Sequence, residues 1–203
     1  QFCLNKLKGV ERKIDAIAFY DNWALKRRRS IDNALIFGPV ASSHLIESIN
    51  NIRKEKDLKN NIKTIFGWSE SKIKDKLYFI QHHYSHAASA YYCSPFKNSG
   101  VLTLDGVGEY STTTIGTGHS GKLHLLHSID YPNSLGLFYS TFTHYLGFKV
   151  NSGEYKVMGL APYGNPNYKK KILDEIINLN SDGSFELNLD YFNFHLTKKM
   201  ANE

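Results

Sequence analysis

Three histidines lie within one short run, residues 82–86. On a helix, His82 and His86 are four positions apart, so their rings point the same way. Two neutral imidazoles in that arrangement can chelate a divalent transition metal. His83 lies about 100° around the same helix, where it would support the ligands or carry a proton. The spacing alone is a weak signal, because surface or hydrogen-bonded histidines produce it too.

A carboxylate followed by glycines forms the second candidate group. Asp105 ends the apolar stretch 100–105, and Gly106 and Gly108 follow it. Glycines let backbone N–H groups approach phosphate oxygens without a side-chain clash. The pattern therefore suits metal or phosphate chemistry. The alternative is an ordinary Asp-Gly turn with a solvated Glu109.

The third candidate group lies in residues 151–159. Asn151 as an N-cap and Glu154 three residues later form a pair that resembles a capping box. Alternatively, Gly153 allows an anion to approach a helix N-terminus. Glu154 would then bind a ribose diol and Lys156 a phosphate. The residues by themselves favour the cap.

Apolar patterns predict the elements that position these groups. In the first half of the chain, the patterns predict a strand at 13–20, mostly helix over 30–65, a strand at 77–81 and a helix to residue 92. In the second half, they predict a strand at 100–105, a hairpin of 112–117 with 122–128, and helices at 134–147, 153–160 and 166–178. In open α/β sheets, sites gather at the carboxyl ends of strands. The histidine run and Asp105 both fall there.

The overall composition is that of a globular protein. The chain has 203 residues, of which 41% are hydrophobic and 22% are charged. The sequence has no window of about 18 or more apolar residues, so we expect no membrane span. The start of the chain does not have the pattern of a signal peptide. Cys3 and Cys93 form no disulfide framework, so we expect buried free thiols in a reducing cytoplasm. The predicted localisation is cytoplasmic.

The net charge of +6 is compatible with an anionic partner. However, the basic residues are scattered, and acidic residues interrupt the lysine-rich stretch 53–76. Solvated helix faces account for this pattern better than a nucleic-acid surface does. Nucleic acid is therefore not the expected partner.

Four sequence blocks resemble those of one known family. The blocks are similar, in their order and in their residues, to the carbamoyltransferases that include nodulation protein U and antibiotic O-carbamoyltransferases. They cover residues 82–90, 102–109, 134–140 and 146–164. The resemblance implies an α/β fold of the actin-like type (sugar kinase/heat-shock, RNase H-like), here partial, with a mixed sheet flanked by helices. It also implies transfer of a carbamoyl group from carbamoyl-adenylate, made from ATP and carbamoyl phosphate, to a hydroxyl of a sugar or secondary metabolite.

The resemblance also implies roles for individual residues. A divalent metal, with iron expected, would be held by His82, His86 and Asp105. The metal would polarise the carbamoyl-adenylate, and His83 would help remove the acceptor proton. The nucleotide would lie against Gly106, Gly108, Gly153, Glu154 and Lys156.

The family pattern extends beyond residues 1–203. These residues are expected to form part of one two-lobed carbamoyl-transfer domain. A phosphate-binding turn would precede Gln1, and a further metal-binding aspartate and an adenylate-forming domain would follow Glu203. The 203 residues alone are therefore expected to be inactive. A homodimer is one open possibility, and the acceptor alcohol is not specified.

Two alternatives remain at this stage. A tRNA threonylcarbamoyl-transfer enzyme would share the HxxxH pair, but there a Gly-Glu-x-x-Asp-Lys pattern is expected, whereas Tyr155 and Lys156 follow Glu154 here. A non-catalytic nucleotide-binding scaffold would not need His82, His86 and Asp105 together. These three residues favour the enzyme.

Overall fold

The computed structural model describes residues 6, 14–197 and 199–201. Cys3 and the start of the chain lie outside them. The helices are α1 (Trp23–Phe37), α2 (Ser43–Phe66), α3 (Glu70–Lys76), α4 (His82–Tyr92), α5 (Leu135–Tyr145), α6 (Glu154–Leu160) and α7 (Lys169–Lys171). The strands are β1 (Ile17–Phe19), β2 (Leu77–Phe79), β3 (Asn98–Leu104), β4 (Ser111–His119), β5 (Lys122–Asp130), β6 (Ile177–Leu179) and β7 (Phe185–Leu187).

The predicted α/β class is confirmed, but the described strands form three small sheets rather than one mixed sheet. β1 and β2 pair in parallel, β3, β4 and β5 form an antiparallel sheet in that order, and β6 pairs with β7. The actin-like architecture stays a prediction.

The parallel pair β1–β2 brings two distant parts of the chain together. Ile17 pairs with Leu77 and Phe19 with Phe79. The pair packs on a core that includes Ile62, Trp68, Ile73 and Leu77. Because parallel strands end at the same edge, the residues that follow β1 and β2 become neighbours.

Helix α4 leads from β2 onto the antiparallel sheet. Its Ala87 and Tyr91 are buried against Val101 of β3 and Leu123 of β5. The Tyr91 ring lies so close to the backbone of Gly118 that a Cβ there would be 2.3 Å from it. This glycine lets the helix lie close to the sheet, which fixes the histidine-bearing end of α4 relative to β3.

The predicted hairpin is confirmed and slightly longer than expected. It turns at Ser120 and Gly121, which both have positive φ angles. Positive φ at both central residues is the requirement of a type I′ turn.

The predicted helix over 166–178 is mostly wrong. Only α7 is α-helical, a π-helical turn covers Ile172–Ile176, and β6 begins at Ile177. Strand β6 pairs with β7, whose Phe185 and Leu187 are buried in a core with Phe192 and Phe194. The two strands form a short hairpin around Gly183, and its pairing and core packing outweigh the helical pattern of residues 166–178.

Cys93 is exposed, so the expectation of a buried thiol is wrong for this residue. It is the C-cap residue of α4. Among the described residues, no helix is long and apolar enough to cross a membrane.

Candidate metal centre

The carboxyl ends of β1 and β2 place Asp21 beside His82. His82 Nδ1 donates a hydrogen bond to Asp21 Oδ1 at 2.8 Å. The same oxygen forms an ion pair with Lys26 Nζ, also at 2.8 Å. Asp21 is buried at 7% exposure, so these partners compensate a carboxylate that is largely removed from water.

The other ring nitrogen of His82 faces the candidate ligands. His82 Nε2 lies 2.5 Å from Asp105 Oδ2 and 3.0 Å from His86 Nε2. His86 Nε2 is 3.5 Å from the same Asp105 oxygen. The three ligand atoms of His82, His86 and Asp105 all lie within 4.8 Å of one another, so one small ion can contact them all.

His82 and its two carboxylate neighbours shift one another's pKa values. Its hydrogen bonds, first to Asp105 and then to Asp21, raise the pKa of His82 to about 9. The hydrogen bond from His82 is also the main reason that the pKa of Asp105 is lowered. Burial by itself would raise the pKa of Asp21, but its bonds from His82 and Lys26 outweigh that effect and lower it.

The donor set fits a divalent transition metal. Two imidazole nitrogens and one carboxylate oxygen form the set that binds Fe(II) while leaving coordination positions open. The ring nitrogen of His82 that faces away from the other ligands, Nδ1, donates to the carboxylate of Asp21, as in metal-bound histidines generally. Water or a substrate oxygen could occupy the remaining positions.

Asp105 is positioned by the N-terminus of α5. The Ser134 hydroxyl donates to the carbonyls of Asp105 at 3.1 Å and Gly106 at 2.6 Å. A Cβ on Gly136 would lie 2.5 Å from the Asp105 and Gly106 backbone. Because Gly136 has no side chain, the first turn of α5 can press against the peptide that carries the Asp105 carboxylate.

Glu109 is not solvated, which corrects the ordinary-turn alternative. It is buried at 6% exposure. Its carboxylate accepts the backbone N–H of Asn22 at 2.6 Å and that of His82 at 3.0 Å. These donors start α1 and α4, where exposed N–H groups favour a negative charge. Glu109 therefore ties the ends of β1 and β2 together from below the cluster.

His83 points into the protein. It is buried at 3% exposure, and its Nδ1 lies 2.6 Å from the hydroxyl of Thr103, which in turn bonds Thr114 at 2.7 Å. Burial is the main reason that the pKa of His83 is lowered. Its Nε2 is buried without a hydrogen-bond partner among the described residues. The lowered pKa favours the neutral ring, and its Nε2 is enclosed by the protein.

The backbone N–H groups of Gly106 and Gly108 already have partners. Gly106 N donates to Asp105 Oδ1 at 2.7 Å, and Gly108 N donates to the Ser111 carbonyl at 2.9 Å. A Cβ on Gly108 would lie 2.9 Å from the His83 ring. The glycine therefore leaves room for the histidines.

The segment 151–156 forms a cap, though not the predicted one. The N-cap of α6 is Gly153, because Asn151 lies two residues earlier at a positive φ of 65°. Glu154 still reaches back to accept the N–H groups of Asn151 at 2.9 Å and Gly153 at 3.1 Å. The Ser140 hydroxyl donates to it at 3.0 Å.

These bonds, first of all the one from Asn151, lower the pKa of Glu154. Lys156 is exposed, with its ammonium 5.8 Å from the centre of the Phe148 ring. No hydrogen bond or ion pair joins Glu154 or Lys156 to the histidine cluster within the described part of the chain. The structure thus brings His82, His86 and Asp105 together but not these two residues.

Sequence reasoning missed Asp21 and the buried role of Glu109. Asp21 had one usable signal, a carboxylate directly after a predicted strand. Glu109 had none, because its N–H partners come from two segments that are distant in sequence.

The family comparison agrees with the four motif blocks. The family model described as "Carbamoyltransferase N-terminus" matches residues 1–203. The chain therefore belongs to the carbamoyltransferase N-terminus family.

Several curated relatives are similar to it. "Uncharacterized protein sll1178" of Synechocystis sp. is 41% identical over 206 residues, covering 100% of this chain and 34% of that protein. "Nodulation protein NolNO" of Sinorhizobium fredii is 36% identical over 57% of this chain and 17% of its own length. "Nodulation protein NolO" of Bradyrhizobium diazoefficiens is 38% identical over 55% of this chain and 20% of its own length. The chain thus spans about a third or less of these relatives.

Proposed function

We propose that the protein containing this chain is an O-carbamoyltransferase, which moves a carbamoyl group from carbamoyl-adenylate to a hydroxyl of a sugar or secondary metabolite. One observation carries the proposal. In a chain of the carbamoyltransferase N-terminus family, two histidines and an aspartate converge with ligand atoms within 4.8 Å of one another.

His82, His86 and Asp105 are proposed to hold a divalent metal, with iron as the first candidate. When bound, the ion supplies Lewis-acid stabilisation for negative charge on the carbamoyl donor. The protein's part is to hold three ligand atoms in place. Asp105 is fixed by α5 and His82 by two carboxylates, so little reorganisation is needed when substrate binds.

In the transfer step, the acceptor oxygen attacks the carbamoyl carbon. The bond from that carbon to the phosphate oxygen breaks, and AMP leaves. His83 is proposed to accept the hydroxyl proton, since its lowered pKa keeps the ring neutral and its Nε2 has no partner in the described structure. A neutral imidazole near pH 7 is a suitable general base.

Several residues are proposed to contact the nucleotide. The set is Gly106, Gly108, Gly153, Glu154 and Lys156. Lys156 is the member best placed to change partners, because its side chain is exposed and contacts only the Phe148 ring among the interactions found. Glu154 would exchange its backbone N–H donors for ribose hydroxyls.

The wider architecture is proposed to be actin-like. An antiparallel sheet in the order β3-β4-β5, followed at once by helix α5, supports half of a two-lobed phosphate-handling domain. A separate part of the full-length protein would make the adenylate from ATP and carbamoyl phosphate. We further propose that the enzyme is cytoplasmic, and a homodimer is compatible with the proposal.

Measuring the two half-reactions separately in the full-length protein tests the proposal. Asp105→Ala should abolish carbamoyl transfer from carbamoyl-adenylate while leaving adenylate formation intact. Asp130→Ala, at an exposed position of β5, is the control and should leave both reactions unchanged. Loss of both reactions in folded Asp105→Ala would count against the assignment.

His83→Gln tests the proton-transfer role. Glutamine can keep a hydrogen bond to Thr103 but is not a base. We expect a lower kcat for transfer with little change in thermal stability. A lower melting temperature with unchanged kcat would assign His83 to the core instead.

A further inference from the structure

We propose that Asp21 is a positioning residue that fixes the ring of His82 with Nε2 turned toward His86 and Asp105. The inference rests on the proposed metal-binding function and adds a residue to it. Asp21 does not itself reach the ligand cluster, since its contact is with the far nitrogen, Nδ1, at 2.8 Å.

The first support is the geometry of the Asp21 carboxylate. It is buried at 7% exposure, and its Oδ1 lies 2.8 Å from both His82 Nδ1 and Lys26 Nζ. A carboxylate can only accept these bonds. Carboxylates face both ring nitrogens of His82, Asp21 at Nδ1 and Asp105 at Nε2. A metal bound at Nε2 would replace the proton there, and Asp21 would then hold the remaining ring proton at Nδ1.

The second support is that the backbone fixes the same pair independently. Glu109 binds the N–H of Asn22 at 2.6 Å and the N–H of His82 at 3.0 Å. Asn22 directly follows Asp21, so one buried carboxylate sets the distance between the two interacting residues. Ile80 N also donates to the Phe19 carbonyl at 2.8 Å, which aligns the two strand ends.

The third support is the contrast with His86. Its Nε2 faces the cluster, but no hydrogen bond to its Nδ1 is found among the described residues. The side chain of His86 is 51% exposed, against 16% for His82. His82 is thus the oriented ligand of the two. Removing Asp21 would leave His82 Nδ1, like His86 Nδ1, without a carboxylate partner.

Co²⁺ affinity of the full-length protein tests the inference, with visible absorption as the readout. Loss of an outer partner of a metal-bound histidine typically costs about 10–100-fold in metal affinity, and we expect Asp21→Ala to fall in that range. Asp21→Asn should also weaken binding, because the neutral amide oxygen is a weaker acceptor for the Nδ1 proton than the carboxylate. The matched control Asp130→Asn changes an exposed carboxylate that bonds Ser111 and should bind Co²⁺ like the wild type.

Nitrogen NMR of the Zn²⁺-loaded wild type gives a test that needs no variant. The inference predicts a proton on His82 Nδ1. A proton-free Nδ1, or Asp21→Asn binding Co²⁺ as tightly as the wild type, would overturn the role of Asp21 while leaving the metal site intact. A folded wild type that binds neither ion would overturn the proposed metal site and this inference together.

Discussion

Two regions that both contain residues of the family blocks differ in how the chain surrounds them. In the histidine cluster (Asp21, His82, His86 and Asp105), most polar side chains have partners within the chain. The two carboxylates that support His82, those of Asp21 and Glu109, are only 7% and 6% exposed. Helix α6, in the second segment (residues 151–164), has no buried residue. There Tyr155 is 64% exposed, Met158 65% and Tyr163 88%.

The difference shows that two stretches can resemble the same family equally well for different physical reasons. The cluster needs charged groups held close together, so buried hydrogen bonds and close glycine contacts constrain its neighbours. The second segment is constrained inside the chain mainly by the Glu154 cap. Its apolar and basic side chains face outward, where a ligand or another part of the full-length protein could contact them.

The largest expected effect separates the two segments by metal affinity. Asp105→Asn removes a charged ligand and should weaken Co²⁺ binding more than about 100-fold, since losing an outer partner alone costs about 10–100-fold. Glu154→Gln should leave Co²⁺ binding unchanged. Parallel titrations of the two variants check this. Equal effects would show that the segments form one metal-binding unit.

The second prediction compares two carboxylates that accept backbone N–H groups. Glu109→Gln should lower the free energy of unfolding by about 2–3 kcal/mol, because it weakens buried bonds to a charged acceptor. Glu154→Gln should cost only about 1 kcal/mol, as for a partly exposed helix cap. Denaturant unfolding measures both. A larger cost at Glu154 would contradict the contrast in packing.

The third prediction, which includes the smallest expected effect, concerns two helical glycines. A methyl group on Gly136 would meet the backbone of Asp105 and Gly106, so Gly136→Ala should destabilise the protein by about 1–3 kcal/mol. Nothing lies within 4 Å of a Cβ on Gly159. Gly159→Ala should therefore stabilise it by about 0.5–1 kcal/mol. Opposite signs in thermal unfolding support the comparison, and a stabilising Gly136→Ala would refute the close approach of α5.

Local patterns were sufficient for elements whose contacts are local. The helix that begins at His82 and the hairpin turning at Ser120 and Gly121 follow from spacing and turn residues. The helix predicted over 166–178 was wrong although the competing contact is also local. Strand β6 pairs with β7 in a short hairpin, and burial of Phe185 and Leu187 in the core favours that hairpin over the helix.

The candidate site was predictable to a similar extent. Spacing paired His82 with His86, and a strand end marked Asp105. The resemblance to carbamoyltransferases implied the three as one ligand set, and the structure places them together. Asp21 could not be assigned to His82, because the parallel pairing of β1 with β2 joins residues 61 positions apart. Glu109 could not be separated from a solvated turn residue, because burial depends on where α1 and α4 start.

The metal content of the purified protein is the direct test of the proposed metal centre. The full-length protein would be purified without oxygen, and its metal measured in the wild type and in the His82→Ala/His86→Ala variant. We expect close to one divalent ion per chain in the wild type, with iron expected, and almost none in the variant. A folded wild type that holds no ion, even after Fe²⁺ or Co²⁺ is supplied, would contradict the metal centre and return the histidine pair to a structural role.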